Sequence, residues 1–329
     1  MKNLYISQLI IISFFIEITN SSRTRAILIG IDGFLTKCMN EAITDGFDWM
    51  KAHGSYTFKA RTAIEEISGP GWSNILCALD TEDTGVTDNN WSAPWFFGKP
   101  QNITPITGND KPFPCAFQQF KDNNINLKTS SFYSWEWFVN LGNVSIPGSI
   151  DREIFCMMDG MDSSIKCDKE AIEAGVKIID SLDFDFFFLY FGSLDETGHA
   201  TQFCSKTYID RISALNSYVN SVIEAVQKAG IIDSTYIILT SDHGAGYKTY
   251  DHGFSVNDEN LLVPWIIVGP NVKQNHEIQS EVKNADTMPT IFHAMGLKSN
   301  ALWRSIPILE VFNNSKLNNI IESKFLGDK

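Results

Sequence analysis

Four short apolar runs constrain this chain more than anything else in it: residues 26–30 (AILIG), 184–191 (FDFFFLYF), 236–239 (YIIL) and 264–268 (PWIIV). Near-continuous apolarity over so few residues fits strands covered on both faces, as in a parallel sheet. Helix-like stretches lie between them. Asp168 is placed to cap a helix over 169–182, a periodic pattern over 206–229 stops at Gly230, and 286–296 carries proline near its start and glycine at its end. This alternation predicts an α/β fold, a three-layer sandwich with a mainly parallel central sheet. With 329 residues, 43% of them hydrophobic, the chain can bury one large core, and we expect a single domain over 23–329. Residues 80–150 read differently: rich in Asn, Pro, Gly and aromatics, they suggest a loop-rich insertion over one sheet edge.

Residues 1–22 have the layout of a secretory signal: a positive start, a short apolar core around Leu9–Ile16, then polar Asn20-Ser21-Ser22. No other run is long enough to span a bilayer, so no membrane span is expected after signal removal. The expected setting is secreted or lumenal. Six cysteines with no Cys-x-x-Cys pair then suggest up to three disulfides, Cys156 with Cys167 first among them. Glycosylation sequons occur at Asn20, Asn90, Asn102, Asn143 and Asn313. A net charge of −13 without a basic patch argues against a nucleic-acid partner.

The acids and histidines form a pattern. Asp32, Asp195 and Asp242 each follow an expected strand, at the sheet edge where ligands bind in open α/β folds. Asp195 and His199 are four apart, His243 follows Asp242, and the second Asp-His-Gly supplies His252. Three Asp and three His make two sites of the kind zinc occupies, each with three protein ligands and an open position. His53, His276 and His293 lack such context. Ser68 follows the strand-like residues 63–67 and precedes a Gly69-Pro70-Gly71 turn, with a helix beginning near Trp72. A serine there is either an ordinary helix cap or a hydroxyl held near backbone N–H groups.

The blocks "ILIGIDGF", "ISGPGWSNIL", "TGVTDNN", "GSLDETGHATQ", "TSDHGAG", "DHGF" and "VPWIIVGP", in this order, resemble the alkaline phosphatase superfamily, most closely its type I phosphodiesterase/nucleotide pyrophosphatase branch. The resemblance implies an alkaline-phosphatase-like fold and two zinc ions. One would be held by Asp195, His199 and His252, the other by Asp32, Asp242 and His243, with Ser68 as nucleophile and added ligand. Asn89 matches an asparagine that holds a phosphate oxygen, and Asp251 is left as a bystander or a partner orienting a ligand. Several positions depart from the branch. Its Thr-Phe-Pro-Asn run reads Ser68-Gly69-Pro70-Gly71, a common Thr-Gly is Cys77-Ala78, and a His is Thr84. Sulfatases of the superfamily carry an arginine where Trp72 stands, and their calcium site favours oxygen ligands, so a sulfatase is the lesser expectation.

The implied activity is hydrolysis of a phosphodiester or pyrophosphate bond in a small phosphate ester or nucleotide, through a phosphoseryl intermediate. The only arginine near Ser68 in sequence is Arg61, whereas a monoester usually needs an added cationic partner. Trp91, Trp95, Phe96 and Phe97 are available to stack on a base or pack a lipid tail. The alternatives are a phosphomonoesterase with the same metals and a metal-stabilised binding protein without catalysis.

Overall fold

The computed structural model describes residues 23–91, 113–142, 149–253 and 258–313. The expected signal segment, the sequons at Asn20, Asn102 and Asn143, and Trp95, Phe96 and Phe97 lie outside the described residues.

All four apolar runs form strands of one sheet. In chain order the strands are β1 (Arg25–Ile31), β2 (Gly54–Arg61), β3 (Thr129–Tyr133), β4 (Arg152–Phe155), β5 (Phe186–Phe191), β6 (Thr235–Thr240), β7 (Leu262–Val268) and β8 (His276–Glu277). Across the sheet they run β4-β3-β5-β1-β6-β7-β2-β8. Five of the seven pairings are parallel; β7 runs antiparallel to both β6 and β2. The sheet is therefore mixed, although mostly parallel. The PWIIV run misleads on direction because β7 is buried on both faces like the parallel strands of the sheet, and burial, not direction, sets its composition.

Alternate residues of each central strand feed opposite faces. Leu28, Phe186, Phe188, Ile238 and Trp265 pack with the Ser68–Cys77, Ala116–Asn123 and Thr287–Ala294 helices. Ile27, Ile29, Phe187, Leu189 and Ile237 pack with the Asp45–His53, Met161–Ser181 and Lys206–Lys228 helices. This is the expected three-layer α/β arrangement.

Three local expectations change. Residues 80–150 are not simply an insertion over an edge, because β3 pairs with both β4 and β5 inside the sheet. Its short TSSFY segment carries too little apolar signal to read as a strand. The helix expected over 169–182 begins at Met161, and Asp168 is a fully buried mid-helix residue. Residues 63–67 form no strand: Glu66 takes a left-handed φ of 54°, and Ser68 itself opens the helix. Gly69-Pro70-Gly71 is then the first helical turn, where proline's missing N–H costs nothing.

Three disulfides join Cys38 to Cys204, Cys77 to Cys115 and Cys156 to Cys167, the last as expected. Among the described residues no helix is long and apolar enough to cross a membrane.

Candidate metal centre and nucleophile

Strands β5, β1 and β6 are parallel neighbours, so their carboxyl ends share one edge. Asp32 follows β1 directly. Asp242 follows β6 after one residue. Asp195 lies in the first turn of the Ser193–Thr201 helix that follows β5. Four residues on, His199 falls on the same helix face. The Asp-Gly-Phe turn after β1 needs its glycine. Gly33 has φ +65°, and a Cβ there would meet Asp195 Oδ1 at 2.4 Å.

The six side chains assemble as two adjoining triads, Asp195–His199–His252 and Asp32–Asp242–His243. In the first, His199 Nε2 lies 3.2 Å from Asp195 Oδ2 and 3.1 Å from His252 Nε2, which is 3.4 Å from Asp195 Oδ1. In the second, His243 Nε2 lies 3.4 Å from Asp32 Oδ1, 3.3 Å from Asp242 Oδ2 and 3.2 Å from Ser68 Oγ. The rings of His243 and His252 stack at 3.8 Å, which joins the triads.

Two observations fit this donor set to cations. Each histidine places Nδ1 on a backbone carbonyl: His199 on Tyr250 O at 2.7 Å, His243 on Gly244 O and His252 on Glu66 O at 2.8 Å. A carbonyl only accepts, so each Nδ1 carries a proton, and Nε2 is the nitrogen left to offer a lone pair to a cation. Among the described residues, the buried atoms Asp32 Oδ1, Asp195 Oδ1 and Asp242 Oδ2 have no hydrogen-bond donor. Two of their sister oxygens do: Asp32 Oδ2 accepts from Trp72 Nε1 at 3.0 Å and Tyr190 OH at 2.7 Å, and Asp242 Oδ1 from Gly33 N at 3.2 Å. Buried carboxylate oxygens aimed at one another and left bare demand positive charge.

The protonation equilibria of the protein atoms alone say the same. Burial, then the Asp195 charge, lifts Asp32 to about 7. Burial, with Asp32 and Asp195, drives Asp242 well above the usual carboxylate range. Burial opposes ionisation of Asp195 too, yet His252 and His199 hold it well below that range. Burial, then His252, depresses His243 to about 3, while the hydrogen bond to Asp195 raises His199 to about 9. Three carboxylates so crowded cannot all ionise without a counter-charge.

Ser68 Oγ opens on a cavity of about 150 Å³ that Asp32, Asn89, Trp135 and Glu196 also line. Asn89 Oδ1 accepts from Gly69 N at 2.7 Å, which turns its amide N–H₂ away from the helix. Beyond Asn89 and Trp135 the cavity continues into a groove of about 440 Å³ walled by Trp91 and Trp137. Trp91 is buried against Phe113 and Trp137 and forms part of that wall. Arg61 lies elsewhere, near Asp258 at 3.9 Å. Sequence reading missed Trp135, Tyr190 and Glu196. Tyr190 sits in a strand whose apolar run hides its hydroxyl, Trp135 sits in a segment without periodicity, and Glu196 stands beside the conspicuous Asp195.

The departures from the branch pattern have local causes. A Cβ at Gly71 would lie 2.6 Å from Asp242 O, so the helix carrying Ser68 can rest on the Asp242 turn only with glycine there. Trp72 donates to Asp32. Cys77 is tied to Cys115, and Ala78 caps the helix at φ +52°, a conformation natural to the glycine it replaces. Thr84 Oγ1 accepts from Val86 N at 3.2 Å.

The sequence model of the family described as Type I phosphodiesterase / nucleotide pyrophosphatase matches residues 26–262. Among curated proteins, an arylsulfatase of Volvox carteri is 28% identical over 107 residues, 28% of this chain and 16% of the relative. Arylsulfatase K of Mus musculus is 25% identical over 113 residues, 34% of this chain and 20% of the relative. The chain thus covers only 16–20% of those two relatives' length. Among solved structures, murine ectonucleotide pyrophosphatase/phosphodiesterase 5, in an inactive form with AMP, superposes with a TM-score of 0.66 at 13% identity, over 88% of this chain and 100% of that one. A 2-O GAG sulfatase gives a TM-score of 0.68 at 14% identity, over 88% of this chain and 74% of that one. At such identities the likeness is one of fold. Sulfatases stand beside phosphodiesterases in it, so the sequence argument against a sulfatase gains nothing from these comparisons.

Proposed function

Because the chain belongs to the type I phosphodiesterase/nucleotide pyrophosphatase family, we propose that it is a two-zinc hydrolase of phosphodiester or pyrophosphate bonds acting through Ser68. The observation that carries this reading is the convergence of three histidine Nε2 atoms and three bare carboxylate oxygens beside one serine hydroxyl. Asp195, His199 and His252 would hold one ion, and Asp32, Asp242 and His243 the other, with Ser68 Oγ as an added ligand. Bound there, zinc would supply Lewis-acid charge to phosphoryl oxygens and lower the pKa of a hydroxyl or water.

The chain's own residues do the rest. Ser68, fixed at a helix N-terminus, presents Oγ to phosphorus and forms the new ester bond as the leaving alkoxide departs in line. Asn89, whose Oδ1 accepts from Gly69 N, would donate through its N–H₂ to a phosphoryl oxygen. Tyr190 and Trp72 keep Asp32 aimed at the cluster. Trp135 offers a planar wall for the leaving group, with Trp91 deeper in the groove. Water then cleaves the phosphoserine, and two inversions give retention at phosphorus.

We further place the catalytic unit in one domain over 23–329 and in the secretory pathway. Three disulfides and exposed sequons at Asn90 and Asn313 support the setting. The arylsulfatase similarities favour a second reading, sulfate-ester hydrolysis at the same centre. A panel of aryl phosphodiester, pyrophosphate, aryl phosphomonoester and aryl sulfate, run on zinc-loaded protein, separates the readings. Ser68→Ala should abolish turnover and leave both zinc ions bound, and quenched wild type should carry phosphate on the Ser68 peptide. Near wild-type turnover by Ser68→Ala would sink the covalent route.

A further inference from the structure

The cavity before Ser68 contains one acid that neither triad includes. Glu196 follows Asp195 on the Ser193–Thr201 helix and lines the cavity with Ser68, Asn89, Trp135 and Met158. Among the described residues that line it there is no lysine or arginine. A carboxylate on the wall of a site for anions is a cost unless it discriminates between them.

The charge balance shows what it discriminates. Three triad carboxylates set against two divalent cations leave a single positive charge, and Glu196 cancels it. A phosphodiester brings one negative charge into this space, whereas a phosphomonoester near neutral pH brings about two. A second charge brought into this cavity of about 150 Å³ meets the repulsion of a carboxylate on its wall. Glu196 stands on the same helix as Asp195 and His199, which fixes its backbone position relative to them.

We propose that Glu196 is a specificity-determining residue that restricts the site to esters bearing one negative charge. Phosphodiesters are then favoured over phosphomonoesters and over polyanionic pyrophosphates. The inference rests on the hydrolase reading above and narrows its substrate class. A sulfate monoester also carries one charge, so Glu196 does not separate phosphodiester from sulfate ester.

The test uses the full chain loaded with zinc, wild type and Glu196→Gln, with zinc content measured for both. The kcat/KM ratio of aryl phosphomonoester to aryl phosphodiester should rise about tenfold or more in the variant, as removal of one nearby charge implies. Inorganic phosphate, titrated by calorimetry, should bind tighter by a similar factor. The sulfate-to-diester ratio should stay within about twofold of wild type, since both esters carry one charge. An unchanged monoester ratio and phosphate affinity, with zinc intact, overturns the proposal. If Glu196→Gln loses zinc, Glu196→Ser makes the same charge change with a smaller side chain and is judged by the same measurements. Loss of zinc in both would make Glu196 part of the metal centre and overturn the proposal. If wild type hydrolyses no ester, the hydrolase reading fails, and the phosphate titration alone decides the role of Glu196.

Discussion

Gly71→Ala is a one-methyl perturbation aimed at the joint between Ser68, the proposed nucleophile, and the Asp32–Asp242–His243 triad. The new Cβ would lie 2.6 Å from Asp242 O, 2.9 Å from Asp242 Cβ and 3.0 Å from Asp242 C. Carbon atoms rest comfortably at about 3.5–4 Å, so roughly 1 Å of relief is needed. Asp242 is poorly able to give it: it is fully buried, its carbonyl accepts from Thr62 Oγ1, and its Oδ1 accepts from Gly33 N. Overpacking of this kind costs about 1–3 kcal/mol, and alanine's better helix propensity offsets about 0.5–1 kcal/mol of it. At about 2–4 °C per kcal/mol, melting should fall by only a few degrees. Function should suffer more, because a shift of about 1 Å between Ser68 and Asp242 is enough to cost about a hundredfold in rate. Differential scanning fluorimetry, metal analysis and turnover on an aryl diester would be read together. Gly175→Ala is the control: it lies within a helix, and its Cβ would meet nothing closer than 3.4 Å. That variant should be neutral or slightly stabilising, with activity unchanged. Gly71→Ala with full zinc and activity within about twofold of wild type would refute the packing argument.

His252→Ala should remove the ion held by its triad and nearly all activity. Asp251→Ala should cost about 10–100-fold at most, because the Asp251 carboxylate accepts from the His252 backbone N–H and belongs to neither triad; equal, complete loss of metal in both variants would show the second Asp-His-Gly to be misassigned. Burial raises Glu310, but the Gln279 and Ser280 N–H groups and His276 win and hold it at about 2. Its folded pKa lies below the unfolded value near ~4.3, so the stability it contributes is present above that pH and is lost as pH falls toward 2. Urea titrations from pH 5 to 2 should therefore show a flatter acid limb for Glu310→Gln than for wild type, and parallel limbs would refute this.

Much of the centre was legible because its chemistry is written locally. Asp195 with His199, and Asp242 with His243, are close pairs, and each follows a strand whose apolar run is unmistakable. The α/β class followed from the same runs. What stayed hidden depends on tertiary contacts. The direction of β7 is set by its partners, not its composition. Asp168 looks like a cap, yet within its helix it accepts from the Gly192 and Ser193 N–H groups and so steadies the start of the segment bearing Asp195. Ser68 as the first helical residue depends on Glu66 adopting a left-handed turn, which no propensity for glutamate predicts. The roles of Trp72 and Tyr190 arise only when β1, β5 and the Ser68–Cys77 helix meet.

The ordering of β5, β1 and β6 has a consequence in time. Asp32 leaves the ribosome early, yet Gly33 meets Asp242 across 209 residues, and Ser68 meets His243 across 175. Neither triad is complete before His243 and His252 have been synthesised. The first strand must therefore wait, unpaired on both sides, for partners made much later, and closing such long loops is slow relative to local helix formation. During that wait its apolar segment is exposed and open to wrong pairing. A cation that bound only the finished triads could not guide these early steps; it could only capture the sheet once β6 had docked, and metal loading would then be a seal on folding that had already succeeded.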